Sequence, residues 1–153
     1  MIASFPGKNM MRPHAIPAVA AAMLAAAPAA PAAAQPALNL AGLWQNPHRS
    51  VVVRTGNCGA ERWCGWVAWA SAEAEADAKD GGVDRLVGTE LLQGYERDGP
   101  GSWTGTVFVP DMNRRFSSRI EAVSANELRI RGCVLGGLFC KTQVWTRVEA
   151  LPR

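Results

Sequence analysis

Apolar positions in the second half of the chain recur with a period of two. In Arg114–Val123 (RRFSSRIEAV), Phe116, Ser118 and Ile120 fall on one face. In Asn126–Cys133 (NELRIRGC), Leu128 and Ile130 alternate with Arg129 and Arg131, which the pattern turns to solvent. Such alternation marks strands with one face on a core and the other in water. Further strand-like segments are Gly42–Asn46 (GLWQN), Ser50–Thr55 (SVVVRT), Trp63–Ala70 (WCGWVAWA), Val87–Asp98, Ser102–Pro110 and Cys140–Val148. Turn-forming clusters separate them, among them Asp98–Gly101 (DGPG) and Asp111–Arg114 (DMNR). About eight short strands with regular turns predict an all-β barrel or sandwich.

One segment breaks the pattern. Ser71–Gly82 (SAEAEADAKDGG) lacks β-formers and alternates alanine with acids. Ser71 is placed to cap a short helix that Gly81 would end. With no strongly apolar face, the insert is expected on the surface as a short helix or loop. Its acids suggest calcium, but Lys79 and Asp80 interrupt the alternation of ligands that a calcium loop needs, so a solvated acidic excursion is the expectation.

The first 34 residues are of another kind. Lys8 and Arg12 form a positive flank, Ala15–Ala27 is an apolar run broken by Pro17, and Ala32–Ala34 supplies small residues. This order predicts a secretory signal peptide over residues 1–34, cleaved near Ala34, and a periplasmic or secreted product. The apolar run is too short for a bilayer span, which takes about 20 residues, and its prolines oppose a continuous helix. Residues 35–153 then form a single domain with no further membrane segment. The chain carries +3; removing Lys8 and Arg12, with no acid in that segment, leaves +1. A balance so near neutral gives no support to a nucleic-acid or anionic-membrane partner.

All four cysteines, Cys58, Cys64, Cys133 and Cys140, lie after the leader. An even count in an exported chain reads as disulfides. Zinc sites favour closer pairs, no C-x-x-C is present, and His48 is the only histidine outside the leader, so no metal or cofactor is expected. Position sums suggest which cysteines pair. A hairpin centred on Gly136–Gly137 sets Cys133 opposite Cys140, and a three-residue loop Ala60–Arg62 sets Cys58 opposite Cys64. Both pairs then close locally. The crossed pairing, early strand to last strands, is the alternative.

Two short motifs frame the strands: Gly42-Leu43-Trp44 opens the first and Trp145-Thr146-Arg147 closes the last. The pair resembles the lipocalin (calycin-type) arrangement, in which an arginine from the final strand covers a tryptophan at the barrel base. The ordered phrases GLW, VVVRTGNCGAERWCGWVAW, DRLVGTELLQGY, SWTGTVFVPDMNRRFSSRI and LRIRGCVLGGLFCKTQVWTRV resemble the bacterial exported family called domain of unknown function 2147, over nearly all of Ala41–Val148. The resemblance implies a small antiparallel up-and-down lipocalin-like β-barrel in the periplasm. It brings no established activity, cofactor or catalytic residue.

The residues offer little machinery for catalysis. No G-x-S-x-G motif is present; Glu90, Glu96 and Glu121 lie on predicted strands and could pair in a cavity, but are expected to face solvent. A hydrolase is the least favoured of three readings. Tryptophan is the conspicuous supply, six in all. By parity Trp63, Val67 and Trp69 share one face of their strand while Cys64, Trp66 and Ala68 share the other, so one tryptophan set must point outward. The leading reading is a binding protein for a small, partly apolar ligand, with Trp44, Trp69, Tyr95, Trp103 and Arg147 as candidate cavity residues. The second is an envelope interaction module with an exposed aromatic face.

Overall fold

A computed structural model describes residues 38–153. The expected leader, residues 1–34, lies outside the described residues. Eight strands form a closed barrel in which each pairs antiparallel with its neighbours in sequence and the last returns to the first. They are β1 (Gly42–Gln45), β2 (Val51–Asn57), β3 (Trp63–Ala70), β4 (Glu90–Gly99), β5 (Ser102–Val109), β6 (Arg114–Ser124), β7 (Glu127–Val134) and β8 (Phe139–Val148). A helix, α1 (Ala72–Asp80), joins β3 to β4, a single 3₁₀ turn at Pro110–Met112 ends β5, and a tight loop through Leu135–Gly137 ends β7. Closure satisfies the backbone groups that an open sheet would leave bare at its edges. The expected barrel is therefore the observed one.

The strands alternate as their sequences require. Leu128 and Ile130 are buried while Arg129 and Arg131 are exposed, and Ser118 and Ile120 point inward from β6. A bulge corrects the parity expected for β3. Val53 pairs with Val67 but Val52 pairs with Trp69, so Ala68 is the extra residue. The bulge turns Trp69 onto the outer face with Trp66, away from the core that takes Val67 and Trp63.

One end of the barrel, the base, is solid. Leu40, Trp44, Leu92, Tyr95, Trp103, Ile120 and Leu128 fill it, each buried to within 1% of full burial. Trp44 is the centre. Its indole Nε1 donates to the Leu40 carbonyl at 2.8 Å and to Thr55 Oγ1 at 3.1 Å. The Arg147 guanidinium lies 4.2 Å over its ring. Arg147 also donates to three backbone carbonyls: Ala41 at 2.7 Å, Asn39 at 2.8 Å and Ala125 at 2.7 Å. Residue 42 must be glycine because a Cβ there would collide with this guanidinium, and its φ of 149° suits few other residues. One side chain thus ties the entry segment, β1, β8 and the β6–β7 turn together.

The disulfides staple opposite ends of the barrel. Cys133 and Cys140 are directly opposed across β7 and β8, with Cα atoms 4.0 Å apart. The hairpin keeps the expected centre, but four residues, Leu135–Leu138, form its loop instead of two, because Leu135, Gly136 and Gly137 all take positive φ. At the base, Cys58 joins Cys64 with Cα atoms 5.7 Å apart. Here the register differs from expectation: Gly56, not Cys58, stands opposite Cys64. The loop has five residues, Cys58–Arg62, because the Cys58 N–H donates to the Arg62 carbonyl at 2.9 Å and closes the turn two residues early. Cys58 then reaches Cys64 diagonally.

Peptide mapping without reduction should return linkages Cys58–Cys64 and Cys133–Cys140; a Cys58–Cys133 peptide would refute this pairing. Reduction should cost about 2 to 2.5 kcal/mol per bond in urea unfolding, from the loop entropy released. Arg147→Ala should lower the unfolding free energy by about 2 to 4 kcal/mol, since it removes the cation over Trp44 and leaves three carbonyls without their donor. Arg147→Lys should recover only part of this, because an ammonium cannot span the same fork.

Candidate functional site at the barrel mouth

The end opposite the plugged base stays open. Rungs of the β7–β8 pair show the change of character: Leu128 with Trp145, Ile130 with Gln143, Gly132 with Lys141, Val134 with Phe139. The lower rungs are apolar and buried. The upper ones are small, polar or exposed. A cavity of about 870 Å³ results at the mouth. Phe108 on β5, Phe116 on β6, Ile130 on β7 and Trp145 on β8 give it an apolar lining, with Leu91 from β4 and Leu86 from the loop before it. The Trp145 indole N–H is satisfied by Gln143 Oε1 at 2.9 Å, so the ring offers the cavity its apolar surface without an orphaned donor.

The acidic insert forms one side of this mouth. Ser71 Oγ accepts from the Ala74 N–H at 3.2 Å and caps α1 as its sequence predicts, and Gly81 ends it. The helix is less solvated than expected. Ala74 and Ala78, one turn apart, pack on the core, and Ala78 is almost fully buried. Glu75 turns back and accepts the backbone N–H groups of Leu86 at 2.9 Å and Val87 at 3.1 Å. Alanine serves here because only a small side chain lets a helix lie this close to the barrel, and α1 touches the Pro110–Met112 turn. Glu73 and Asp77 line the cavity from α1, Asp111 from the β5–β6 turn, His48 from the β1–β2 loop, and Lys141 from β8. The rim is thus acidic beneath the helix and carries a cation on the wall across from it. No cluster of three or more metal-ligating side chains occurs among the described residues.

None of the five residues expected to line a cavity lies at this mouth. Trp44, Tyr95 and Trp103 are packed in the base. Arg147 covers Trp44, and the bulge carries Trp69 to the outer face. The mouth takes its apolar lining from Trp145, Phe116, Phe108 and Ile130 instead. Parity alone places Phe116, Ile130 and Trp145 inward; the missing information is which end of the barrel is filled. Two of the strand glutamates, Glu96 and Glu121, line a shallow depression on the outer face, and each is held by an arginine. Glu96 pairs with Arg62 at 2.9 Å and Glu121 with Arg129 at 3.2 Å, both on the outer surface.

Below the cavity, Tyr95 presents a polar anomaly. A bulge at Gly94–Tyr95 shifts the β4–β5 register and points the ring inward onto Gly105, where a Cβ would overlap it. The Tyr95 hydroxyl and the Ser118 hydroxyl are both buried, and neither has a well-formed hydrogen bond. Burial pushes the Tyr95 phenol far above its ordinary value, and the neighbouring Ser118 hydroxyl opposes that shift only in part. The unfolded phenol ionises near pH 10 while the folded one stays protonated, so stability from this group is constant below about pH 10 and falls above it. Tyr95→Phe should abolish this alkaline decline. At neutral pH it should leave stability unchanged or raise it by up to about 1 kcal/mol, since it removes an unsatisfied buried hydroxyl. Unfolding in urea across the alkaline range measures both.

A small closed antiparallel barrel, solid at an arginine-covered tryptophan and open at the other end, is lipocalin-like in class. The bacterial family described as "Uncharacterized protein conserved in bacteria (DUF2147)" matches residues 42–147, and the chain belongs to that family. Among solved structures, the barrel is similar to that reported as "Protein HP1028 from the human pathogen Helicobacter pylori belongs to the lipocalin family". The TM-score is 0.59 at 14% identity, over 73% of this chain and 84% of that one. At that identity the likeness concerns the fold. No curated protein matches the chain.

Proposed function

We propose that the protein is an exported binding protein that takes a small, partly apolar ligand into the barrel mouth. The cavity of about 870 Å³ above a filled base carries this reading. Its volume is in the range of sites that enclose a small organic molecule. The apolar part of the ligand rests against Phe108, Phe116, Ile130 and Trp145, where burial contributes about 25 cal/mol per Å². Its polar end stays at the rim, within reach of Gln143, Lys141 and His48. Two disulfides support an oxidising compartment, which suits a periplasmic or secreted protein released from a leader over residues 1–34. Non-covalent binding is the proposed role. An envelope interaction module remains the second reading, since Trp66 and Trp69 share an outer face on β3 and stay half-exposed.

Binding is testable with a fluorescent apolar probe, N-phenyl-1-naphthylamine, and its displacement by fatty acids, alkylamines and lysophospholipids. The wild type should enhance probe fluorescence and quench its own Trp145. Gly132 lines the cavity, and a Cβ there meets only Val107 Cγ1 at 3.5 Å, so Gly132→Leu extends a side chain into the empty space without disturbing the wall. It should weaken probe binding by at least about ten-fold, the worth of one displaced apolar group. Equal affinity in wild type and Gly132→Leu would sink the assignment of the mouth.

A further inference from the structure

The apolar residues most out of place are not the tryptophans. They are Leu135, Leu138 and Phe139 at the tip of the β7–β8 hairpin, exposed by 70%, 78% and 64%. Phe139 also lines the rim of the cavity, but nothing local explains the two leucines. Leu135 holds a left-handed backbone (φ 50°), a conformation that disfavours a branched side chain and suits glycine or asparagine. Neither burial nor backbone preference therefore accounts for leucine at this position. The Cys133–Cys140 bond closes the neck of the hairpin and holds the tip as a short, stiff projection.

The surroundings of the tip are basic. Arg114 opens β6 at the same end of the barrel as the hairpin, while Arg115 beside it turns toward β5 and β4, lying 4.8 Å over the Phe108 ring and donating to Gln93 Oε1 at 3.1 Å. Lys141 stands opposite Gly132 at its neck. All three cations are exposed, and none is ion-paired among the described residues. The acids Glu73 and Asp77 sit on α1, between β3 and β4, across the barrel from the β7–β8 hairpin. Asp111, in the turn before Arg114, is a third acid on the rim, so the signs are only partly separated. The cavity opens on this same end, between helix and hairpin.

We propose that the β7–β8 tip docks the protein onto an anionic phospholipid bilayer. Leu135, Leu138 and Phe139 enter the interfacial zone while Arg114 and Lys141 meet the headgroups. An apolar point flanked by cations has the form of an interfacial anchor: the side chains gain by leaving water, and each cation adds a roughly five-fold attraction to an anionic surface. This docking turns the cavity mouth toward the membrane. It does not depend on the cavity being occupied.

Co-sedimentation with vesicles tests it. Wild-type protein should pellet with phosphatidylglycerol–phosphatidylcholine vesicles, more weakly with phosphatidylcholine alone, and less as salt is raised. The combined variant Leu135→Ser, Leu138→Ser and Phe139→Ser should lose at least about ten-fold in partitioning, with an unchanged far-UV circular dichroism spectrum because all three side chains are exposed. Arg114→Gln with Lys141→Gln should bind anionic vesicles more weakly and lose most of the salt dependence. Gly132→Leu, which fills the cavity, should pellet as the wild type does, so that a failed ligand assignment leaves this test intact. The proposal is overturned if wild-type protein stays in the supernatant with both vesicles, or if the triple serine variant pellets equally. Equal binding to neutral vesicles would remove the role of the cations. A self-association that the triple variant abolishes, without vesicle binding, would make the tip a contact between copies and overturn the membrane assignment.

Discussion

The barrel depends on one cation laid on one ring. Arg147, near the base end of β8, covers the Trp44 indole and at the same time donates to the carbonyls of Asn39, Ala41 and Ala125. Closing a meander into a barrel means pairing its first and last strands, the contact with the greatest sequence separation and so among the costliest in chain entropy. β1 is only four residues long, and its ladder to β8 is correspondingly short. Side-chain bonds that bridge both strands and the segment before them supply what so short a ladder lacks. Gly42 and Thr55 are shaped by the same junction, one by making room for the guanidinium and the other by its hydrogen bonds to Trp44 and Leu40.

From that junction follows the asymmetry that gives the molecule a site. Aromatic bulk is spent at the base, where Trp44, Tyr95 and Trp103 meet. Arg97 lies over Trp103 at 4.8 Å, as Arg147 lies over Trp44. Toward the other end the inward positions become Gly132, Lys141 and Gln143, which cannot fill a barrel of this width. The strand number sets the bore, and the side chains decide how much of it is left empty. The acidic insert becomes part of the site for the same reason: its alanines let α1 settle against the mouth while its carboxylates form one rim.

The lining was only partly legible. The rule that one face of a strand points inward held on β6, β7 and β8, where Phe116, Ile130 and Trp145 alternate with exposed neighbours. It failed on β3, where an extra residue at Ala68 carries Trp69 outward; a bulge leaves no mark in a run of apolar residues. Tryptophans made the obvious cavity candidates because they are large and able to bind. Size is also what suits them to the plugged base, and strand patterning does not say at which height along the axis a residue sits.

By itself the sequence determined the approximate number and the direction of the strands, bounded a short helical or loop insert with Ser71 and Gly81, and favoured the local pairing of the cysteines. Each of these rests on residues close in the chain, on period-two patterning or on turn and cap chemistry. Only the tertiary structure decided the height of each inward side chain, the hairpin registers, the packing of α1 across the mouth, and the exposure of Leu135, Leu138 and Phe139. These depend on closure, which brings residues a hundred positions apart to one rim and sets how far each strand slides against the next. Local patterning is indifferent to that slide as long as it comes in steps of two.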